Sequence, residues 1–327
     1  MHVLIECDQK IPALKYGGTE RVVWWLAKAL DRLGHQVSLL VPEGSSCPFA
    51  TIIPRDPERS VAEQIPDHID VVHFNGAVAP DCPKPYLVTF HGNAGPGHRF
   101  DQNTVFISAN QAERCGGDFY IHHGLDIEDY GDPALSQPRQ NIMFLAKAAW
   151  RVKNVKGAIR MARAAGVGID VAGGTRLNLK MGFRFTADRN AHFHGMVDQT
   201  RKLEMLRSTE GLIFPVLWHE PFGLAVIEAM YFGNPAFTTP WGSLTELIPN
   251  DVGFCSDSES ELVEAIKNRS QYNRQHIHQY VCDQFNNERM AKDYLAAYET
   301  VANGQALNGQ PPIKPALIEP KRFPMRP

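Results

Sequence analysis

The sequence has 327 residues, enough for one large or two medium domains with separate cores. Hydrophobic residues make up 43% and charged residues 21%, a soluble globular balance, and a net charge of −3 gives no overall pull towards nucleic acid or an anionic membrane. The six cysteines (Cys7, Cys47, Cys82, Cys115, Cys255, Cys282) form no CxxC pair and no zinc spacing, and read as reduced thiols of a cytoplasmic protein.

Residues 2–7 read as a strand whose apolar run is too short, and too poor in basic flanks, for a secretory leader; no run approaches the roughly 18 apolar residues of a membrane span. After the loop 8–18 comes an amphipathic helix over 19–33, with Thr19 as its N-cap and Gly34 as its stop. Strands are expected at 36–41, 70–75, 86–90, 105–108 and 120–122. Strands alternating with helices point to a parallel sheet covered on both faces, whose ligands bind beyond the carboxyl ends of the strands. The polar, Pro-containing stretch 131–140 suits a linker. The alternation then restarts, with strands at 141–146, 168–172, 192–195, 211–216 and 235–239. Helices fall at 155–165, 199–207, 222–231 and 243–248, and three more between 258 and 302. The expected fold is α/β, two Rossmann-like domains facing a central cleft. The N-terminal domain spans 1–136 and the C-terminal domain 137–285; a closing helix at 286–303 packs back on the first domain. A Pro-rich tail occupies 304–327. Its Lys314, Lys321, Arg322 and Arg326 stand against Glu319, and it reads as a flexible tail or an arm laid on the surface. A weak peripheral membrane contact is the alternative.

The stretch Trp218-His219-Glu220-Pro221-Phe222-Gly223-Leu224 leads from a strand into a helix and sets Glu220 and Glu228 eight residues apart. At about 1.5 Å of rise per residue the two carboxylates stand roughly 9 to 12 Å apart along the axis. That exceeds the about 5 Å of a retaining glycosidase pair and suits two grips on one long ligand. Pro221 fits a first helical turn, Gly223 lets a ligand approach the backbone, and the amides of the helix start form an anion site. The competing reading is a loop Glu220 and a solvent-facing Glu228 with no ligand.

Tyr16-Gly17-Gly18-Thr19-Glu20 is not the GxGxxG fingerprint, and no acidic ribose-binding residue stands clearly after the second strand, which weighs against a dinucleotide. Gly17 and Gly18 either admit a ligand close to the backbone or serve a turn that needs positive φ. In Thr89-Phe90-His91-Gly92 the imidazole of His91 sits at a strand's carboxyl end, where it can bond a hydroxyl or move a proton. The 13 histidines include no HExxH-type constellation, so no metal is expected. Lys147 and Lys153 either neutralise a diphosphate or belong with Arg151 and Lys156 to a solvated basic face.

In their order along the chain these motifs resemble a retaining, nucleotide-sugar-dependent glycosyltransferase of family 4 with the GT-B fold. The E-x7-E signature falls on Glu220 and Glu228, with P-F-G-L between them and E-A-M following. Gly-Gly-x-Glu falls on Gly17, Gly18 and Glu20, the Leu-Gly-His turn on Leu33, Gly34 and His35, and T-x-H-G on Thr89, His91 and Gly92. The N-G-V-D element appears as His123-Gly124-Leu125-Asp126. The resemblance implies that Glu220 contacts the donor sugar, Glu228 holds the ribose, and the amides of Phe222, Gly223 and Leu224 receive the diphosphate. It places His91 near the sugar hydroxyls, Lys147 and Lys153 at the diphosphate, Gly17 and Gly18 beside the donor, and the base at the Gly195-Met196-Val197-Asp198 turn, Val197 included. Ala146-Lys147 stands where Gly-Arg is usual, which keeps the charge but loses the bidentate fork. The implied activity is retaining transfer from a nucleoside-diphosphate sugar to an acceptor hydroxyl, without a metal or other cofactor. The acceptor is a carbohydrate, a lipid-linked molecule or a small molecule, contacted around residues 18–21 and a mobile, glycine-containing loop at 93–101. A non-catalytic nucleotide-sugar binding protein and a GT-B sugar-nucleotide epimerase are the alternatives.

Overall fold

A computed structural model describes residues 1–13, 17–179, 181, 183–316, 320 and 322–327; Tyr16, Glu319 and Lys321 therefore lie outside the described residues. The chain opens with β1 (His2–Glu6), α1 (Thr19–Arg32), β2 (Gln36–Val41), β3 (Thr51–Pro54), β4 (Val71–Phe74), β5 (Tyr86–Phe90), β6 (Thr104–Phe106) and α2 (Ala109–Cys115). It continues through α3 (Ile127–Tyr130), β7 (Ile142–Leu145), α4 (Val155–Ala164), β8 (Ile169–Ala172), β9 (Leu177–Asn178), β10 (Arg184–Phe185), β11 (Ala191–Phe193), α5 (Gln199–Ser208) and β12 (Leu212–Phe214). It closes with α6 (Leu224–Tyr231), β13 (Ala236–Thr238), α7 (Leu244–Leu247), β14 (Gly253–Cys255), α8 (Glu259–Lys267), α9 (Arg274–Gln284) and α10 (Asn287–Ala302). No helix among the described residues is long and apolar enough to cross a membrane.

Two compact units divide the chain. The first takes Met1–Ala13, Gly17–Asp126 and the segment that starts at Phe285; the second takes Ile127–Gln284 and the last residues of the chain. The polar stretch 131–140 lies inside the second unit, where the buried Arg139 donates to the carbonyl of Phe232 (2.7 Å) and to Asn234 Oδ1 (2.5 Å).

The first unit holds a parallel sheet ordered β3-β2-β1-β4-β5-β6. The second holds a parallel sheet ordered β11-β8-β7-β12-β13-β14. Both follow the doubly wound pattern 3-2-1-4-5-6, so strand order reverses at β1/β4 in one sheet and at β7/β12 in the other. Helices cover both faces of such sheets, which is why β4 (VVHF) and β12 (LIF) are buried along their length, β7 (IMFL) is buried up to its last residue, and none shows alternation.

One face of the first sheet packs Leu4, Leu40, Ile69, Val72, Phe74 and Val88 together. Against the other lies α10, which also packs on α1. Four buried side chains bind α10 to the sheet. His73 bonds the hydroxyl of Tyr298 through Nδ1 (2.7 Å) and that of Thr89 through Nε2 (2.7 Å), and Thr89 meets Tyr294 at 2.8 Å. Burial pushes the His73 imidazole down to about 3, so the network is neutral at physiological pH.

Local details depart from expectation in instructive ways. Gly18, not Thr19, holds the N-cap position of α1, and Thr19 is the first helical residue. Residues 120–122 form no strand; Tyr120 makes a single bridge to Phe106. The His123-Gly124-Leu125-Asp126 element closes the first unit. Leu125 pairs with Asn286, Asp126 is buried and bonded by Lys28, and a Cβ added to Gly124 would lie 2.1 Å from the Asn286 carbonyl oxygen. Only glycine fits there.

The described part of the tail is an arm laid on the surface, not a flexible end. In the first unit Asn308 is buried, Ile313 bridges to Arg99, and the amides of Gly97 and Phe100 donate to Lys314 and Pro312 (3.0 and 2.9 Å). The glycine-containing loop 93–101, expected to be mobile, is strapped by this segment. In the second unit the Phe323 amide donates to Leu217 (2.8 Å) and Arg326 bonds Asp257 (2.6 Å). Of the tail's described basic residues, Lys314 is buried, Arg326 is paired with Asp257 and Arg322 is exposed.

Candidate functional site

The switch point of the second sheet is built by the loops that leave β7 and β12. Two hydrogen bonds zip them together: Leu217 N to Val152 O at 2.7 Å, and Asn154 Nδ2 to Pro215 O at 3.0 Å. Asn154 adopts φ +56 and caps α4 by accepting from the Gly157 amide (3.1 Å). The turn before it, Arg151–Lys153, thereby delivers Lys153 to the β12 loop.

Lys153 Nζ lies 2.6 Å from Glu220 Oε2, and Trp218 Nε1 donates to the same oxygen at 2.7 Å. Both charged residues are buried, 6% and 8% exposed, and the ammonium stands 4.9 Å from the ring centroids of Phe214 and of Trp218. The solvated-face reading of Lys153 fails on these numbers. The backbone of Glu220 is fixed as well, its carbonyl accepting from the Ser243 amide (3.0 Å) and hydroxyl (3.2 Å). Gly242, at φ +75, makes the clamp possible, because an added Cβ would lie 2.2 Å from the Glu220 carbonyl oxygen.

Two residues on, Phe222 is buried and its carbonyl accepts the Ser243 hydroxyl. Gly223 caps α6 at φ +105 with no side-chain cap, and Leu224 is the first helical residue. The Val226 amide donates to the Gly223 carbonyl (2.9 Å), no side chain caps the helix start, and the helix dipole adds to the pull of its amides on an anion. Pro221 stands before the helix, outside the first turn assigned to it from sequence.

Glu228 is 5% exposed and is not solvent-facing. Its Oε1 accepts from the Tyr130 hydroxyl at 2.6 Å and from Lys202, itself 4% exposed. The two glutamates thus use different cations, one from the β7 loop and one from α5.

Lys147 stays outside the Lys153–Glu220 pair, half-buried with Nζ 5.4 Å from the Trp150 ring centroid. Its turn lies flush with the end of β8: a Cβ on Gly173 would sit 2.1 Å from the Ala146 carbonyl oxygen, and one on Gly174 2.5 Å from Ala148 Cβ. Gly195 exchanges hydrogen bonds with Gly173 and Gly174 (2.7 and 3.1 Å), which brings the Val197 turn to the same sheet edge. Val197 is half-buried. Asp198, considered from sequence as a base contact, caps α5 through Oδ1, which accepts from the Arg201 amide at 2.9 Å.

In the first unit, His91 follows β5 and bonds Asn75 Oδ1 through Nε2 at 2.8 Å, while Asn75 Nδ2 donates to the Glu6 carbonyl at 3.0 Å. That amide orientation makes Nε2 the donor and leaves Nδ1 as the acceptor nitrogen. His91 stacks on His123 at 5.3 Å. Burial pushes His91 down to about 4 and His123 well below its ordinary value, so both are neutral. Gly17 leaves room for Glu20, whose carboxylate would lie 2.6 Å from an added Cβ. Gly18 has φ −84, so positive φ is not its reason. These residues gather at the carboxyl ends of β1, β4 and β5.

Sequence reasoning missed Lys202, Tyr130, Trp218 and Asn75 as site partners. Lys202 did leave a signal: it shares the buried stripe of α5 with Met205 and Leu206, and a cation on an apolar stripe implies a buried carboxylate.

The family profile for "Glycosyl transferases group 1" matches residues 132–280. The matched residues lie within the second unit. Lys147, Lys153, Lys202, Glu220 and Glu228 all fall inside it. Among curated proteins, a "GDP-mannose-dependent alpha-(1-6)-phosphatidylinositol dimannoside mannosyltransferase" from two strains of Mycobacterium tuberculosis is 33% identical over 88 residues. That match covers 26% of this chain and only 23% of the relative's length. Among solved structures, AviGT4, a glycosyltransferase involved in avilamycin A biosynthesis, superposes with a TM-score of 0.77 at 21% identity, covering 94% of this chain and 99% of that one. Sucrose-phosphate synthase from Thermosynechococcus elongatus gives 0.69 at 16% identity over 93% and 100% of the chains. Anabaena HepE, in complex with UDP and glucose, gives 0.66 at 15% identity over 92% and 100%. At such identities the likeness establishes the fold: two parallel-sheet Rossmann-like domains of the GT-B glycosyltransferase type.

Proposed function

We propose that the chain transfers a sugar from a nucleoside-diphosphate sugar to an acceptor hydroxyl, with retained anomeric configuration, without a metal, and in the cytoplasm. The observation that carries this reading is the buried Lys153–Glu220 pair set immediately before the uncapped start of α6, at the switch point of the glycosyl transferases group 1 domain.

The donor diphosphate rests on the amides of Phe222, Gly223 and Leu224, with Lys147 and Lys153 supplying the positive charge that a divalent cation gives elsewhere. Glu220, its carboxylate held by Lys153 and Trp218, grips the donor sugar. Glu228, aimed by Lys202 and Tyr130, grips the ribose, and the Val197 turn meets the base. Gly17, Gly18 and the neutral His91 of the first unit are assigned to the donor by the resemblance in sequence. As the bond from the anomeric carbon to the phosphate oxygen lengthens, charge grows on the leaving diphosphate, where the cations and the helix dipole stabilise it most. The acceptor oxygen bonds to the anomeric carbon from the same face, and its proton passes to the departing phosphate oxygen. No protein base is required.

The test is turnover with UDP-, GDP-, ADP- and TDP-sugars over carbohydrate, lipid-linked and small acceptors, with and without EDTA, and product configuration read by NMR. Glu220→Gln and Lys153→Met are expected to lower kcat by about 100-fold or more. EDTA is expected to change nothing. Unchanged rates in both variants remove the assignment, donor binding without turnover marks a binding protein, and an epimerised donor without acceptor marks an epimerase.

A further inference from the structure

The hairpin of β9 and β10 inverts the usual placement of side chains. Leu177 lies across from Phe185 and Asn178 across from Arg184, so each pair shares a face and successive residues alternate. The polar face is turned to the protein. Arg184 is 7% exposed, stands 5.3 Å from the Phe193 ring centroid, and donates to the Thr175 carbonyl (2.9 Å) and Thr186 Oγ1 (2.8 Å). Arg176 stands 5.6 Å from the same ring and donates to the carbonyls of Thr186, Asp188 and Ala191.

The apolar face is turned to solvent. Leu177 is 50% exposed, Leu179 73%, Met181 61%, Phe183 70% and Phe185 62%, and Met196 adds 51%. A hairpin that served only the core would bury these side chains and expose its arginines. The two strands also pair only with each other, so neither six-stranded sheet uses them. A contiguous apolar surface of this kind marks a contact with something outside the chain.

Lipid and a second copy of the chain are the two candidates, and charge separates them. Residues 173–187 contain Arg176, Lys180 and Arg184 and no carboxylate. Arg176 and Arg184 bond only carbonyls and a hydroxyl, so their charge beneath the apolar face meets no carboxylate among those partners, and Arg189 is exposed; Arg163 is paired with Asp188 (3.7 Å). A two-fold contact between copies would set these cations against one another. An anionic lipid surface neutralises them while leucine, methionine and phenylalanine side chains enter the acyl boundary.

We propose that the β9–β10 hairpin is an insertion finger that docks the second unit on an anionic lipid surface. The inference does not rest on the proposed reaction, because its readout is partition and not turnover. Full-length protein is mixed with phosphatidylcholine vesicles carrying about 30 mol % phosphatidylglycerol and floated on a sucrose gradient. The protein is expected to float with these vesicles, less with pure phosphatidylcholine, and about tenfold less as the Leu179→Ser/Phe183→Ser variant. Both side chains are exposed, so the variant is expected to keep the wild-type melting temperature. A Lys321→Glu/Arg322→Glu variant is expected to float like wild type, and a loss there instead would move the contact to the tail and overturn the proposal. It is also overturned if the wild type stays soluble or if the hairpin variant floats equally. A lipid-free dimer in sedimentation velocity that the hairpin variant abolishes would overturn it in favour of a second copy.

Discussion

Lys153 and Glu220 are buried opposite charges, and neither is tolerable in that position without the other. Replacing a lysine of this kind strands a carboxylate in low dielectric, so Lys153→Met should lower the unfolding free energy by about 3 to 5 kcal/mol in urea denaturation. Adding Glu220→Gln to it should restore much of that stability without restoring transfer, which separates the structural role of the pair from its chemical one. Lys202 stands in the same relation to Glu228, which keeps the Tyr130 hydroxyl as a second donor. We expect Lys202→Met to raise the donor KM by about tenfold, a loss of roughly 1.4 kcal/mol of ribose binding, with a smaller change in kcat. At this scale the sequence disclosed the carboxylates but not what holds them. Glu220 and Glu228 fall within one thirteen-residue pattern, whereas Lys202 is 26 positions and Tyr130 is 98 positions from Glu228. Only folding brings them together.

Among the elements, strands buried on both faces were legible as apolar runs, and helices such as α1 and α4 were legible from the spacing of their apolar residues. The misses have two causes. β3 (TIIP) and β14 (GFC) are too short to carry a pattern, and β9 and β10 carry a pattern whose faces are exchanged. The tail was illegible for another reason, since its order comes from contacts with distant backbone. Asn308 Oδ1 accepts from the amides of Asp118 and Phe119 (2.9 and 3.2 Å), and its Nδ2 donates to the carbonyls of Gln102 and Thr104 (2.9 and 2.8 Å). Asn308→Ala leaves those four groups without that partner, at an expected cost of about 3 kcal/mol, read as a lowered melting temperature. Asn308→Asp keeps the acceptor half and should fall between.

For the whole molecule, the twin α/β architecture was legible because a parallel sheet under helices leaves strand-length apolar runs between helical periods. The histidines give it a pH dependence that sequence could not supply. His73 and His123 are buried and their pKa values are lowered, His73 to about 3. The unfolded chain therefore binds more protons than the folded one once pH drops below about 6.5. Stability is full above that value and is lost as pH falls towards the folded pKa values, at up to about 1.4 kcal/mol per pH unit for each such histidine. Urea midpoints between pH 7.5 and 4.5 should fall on the acid side, and His73→Gln should flatten the profile even if it lowers the plateau.

The His73–Tyr298 bond joins residues 225 positions apart, and the order of synthesis gives that distance a meaning. While the ribosome is still making the middle of the chain, His73 and Thr89 have been released but Tyr294 and Tyr298 have not yet been translated. Residues 127–284 are contiguous, but the second unit also takes in the last residues of the chain, where the Phe323 amide donates to Leu217, so each unit waits for a C-terminal segment. A chain truncated after residue 284 leaves His73 and Thr89 without Tyr298 and Tyr294, and should be cut by a protease in its first half. The part of the molecule made first waits for a helix made near the end.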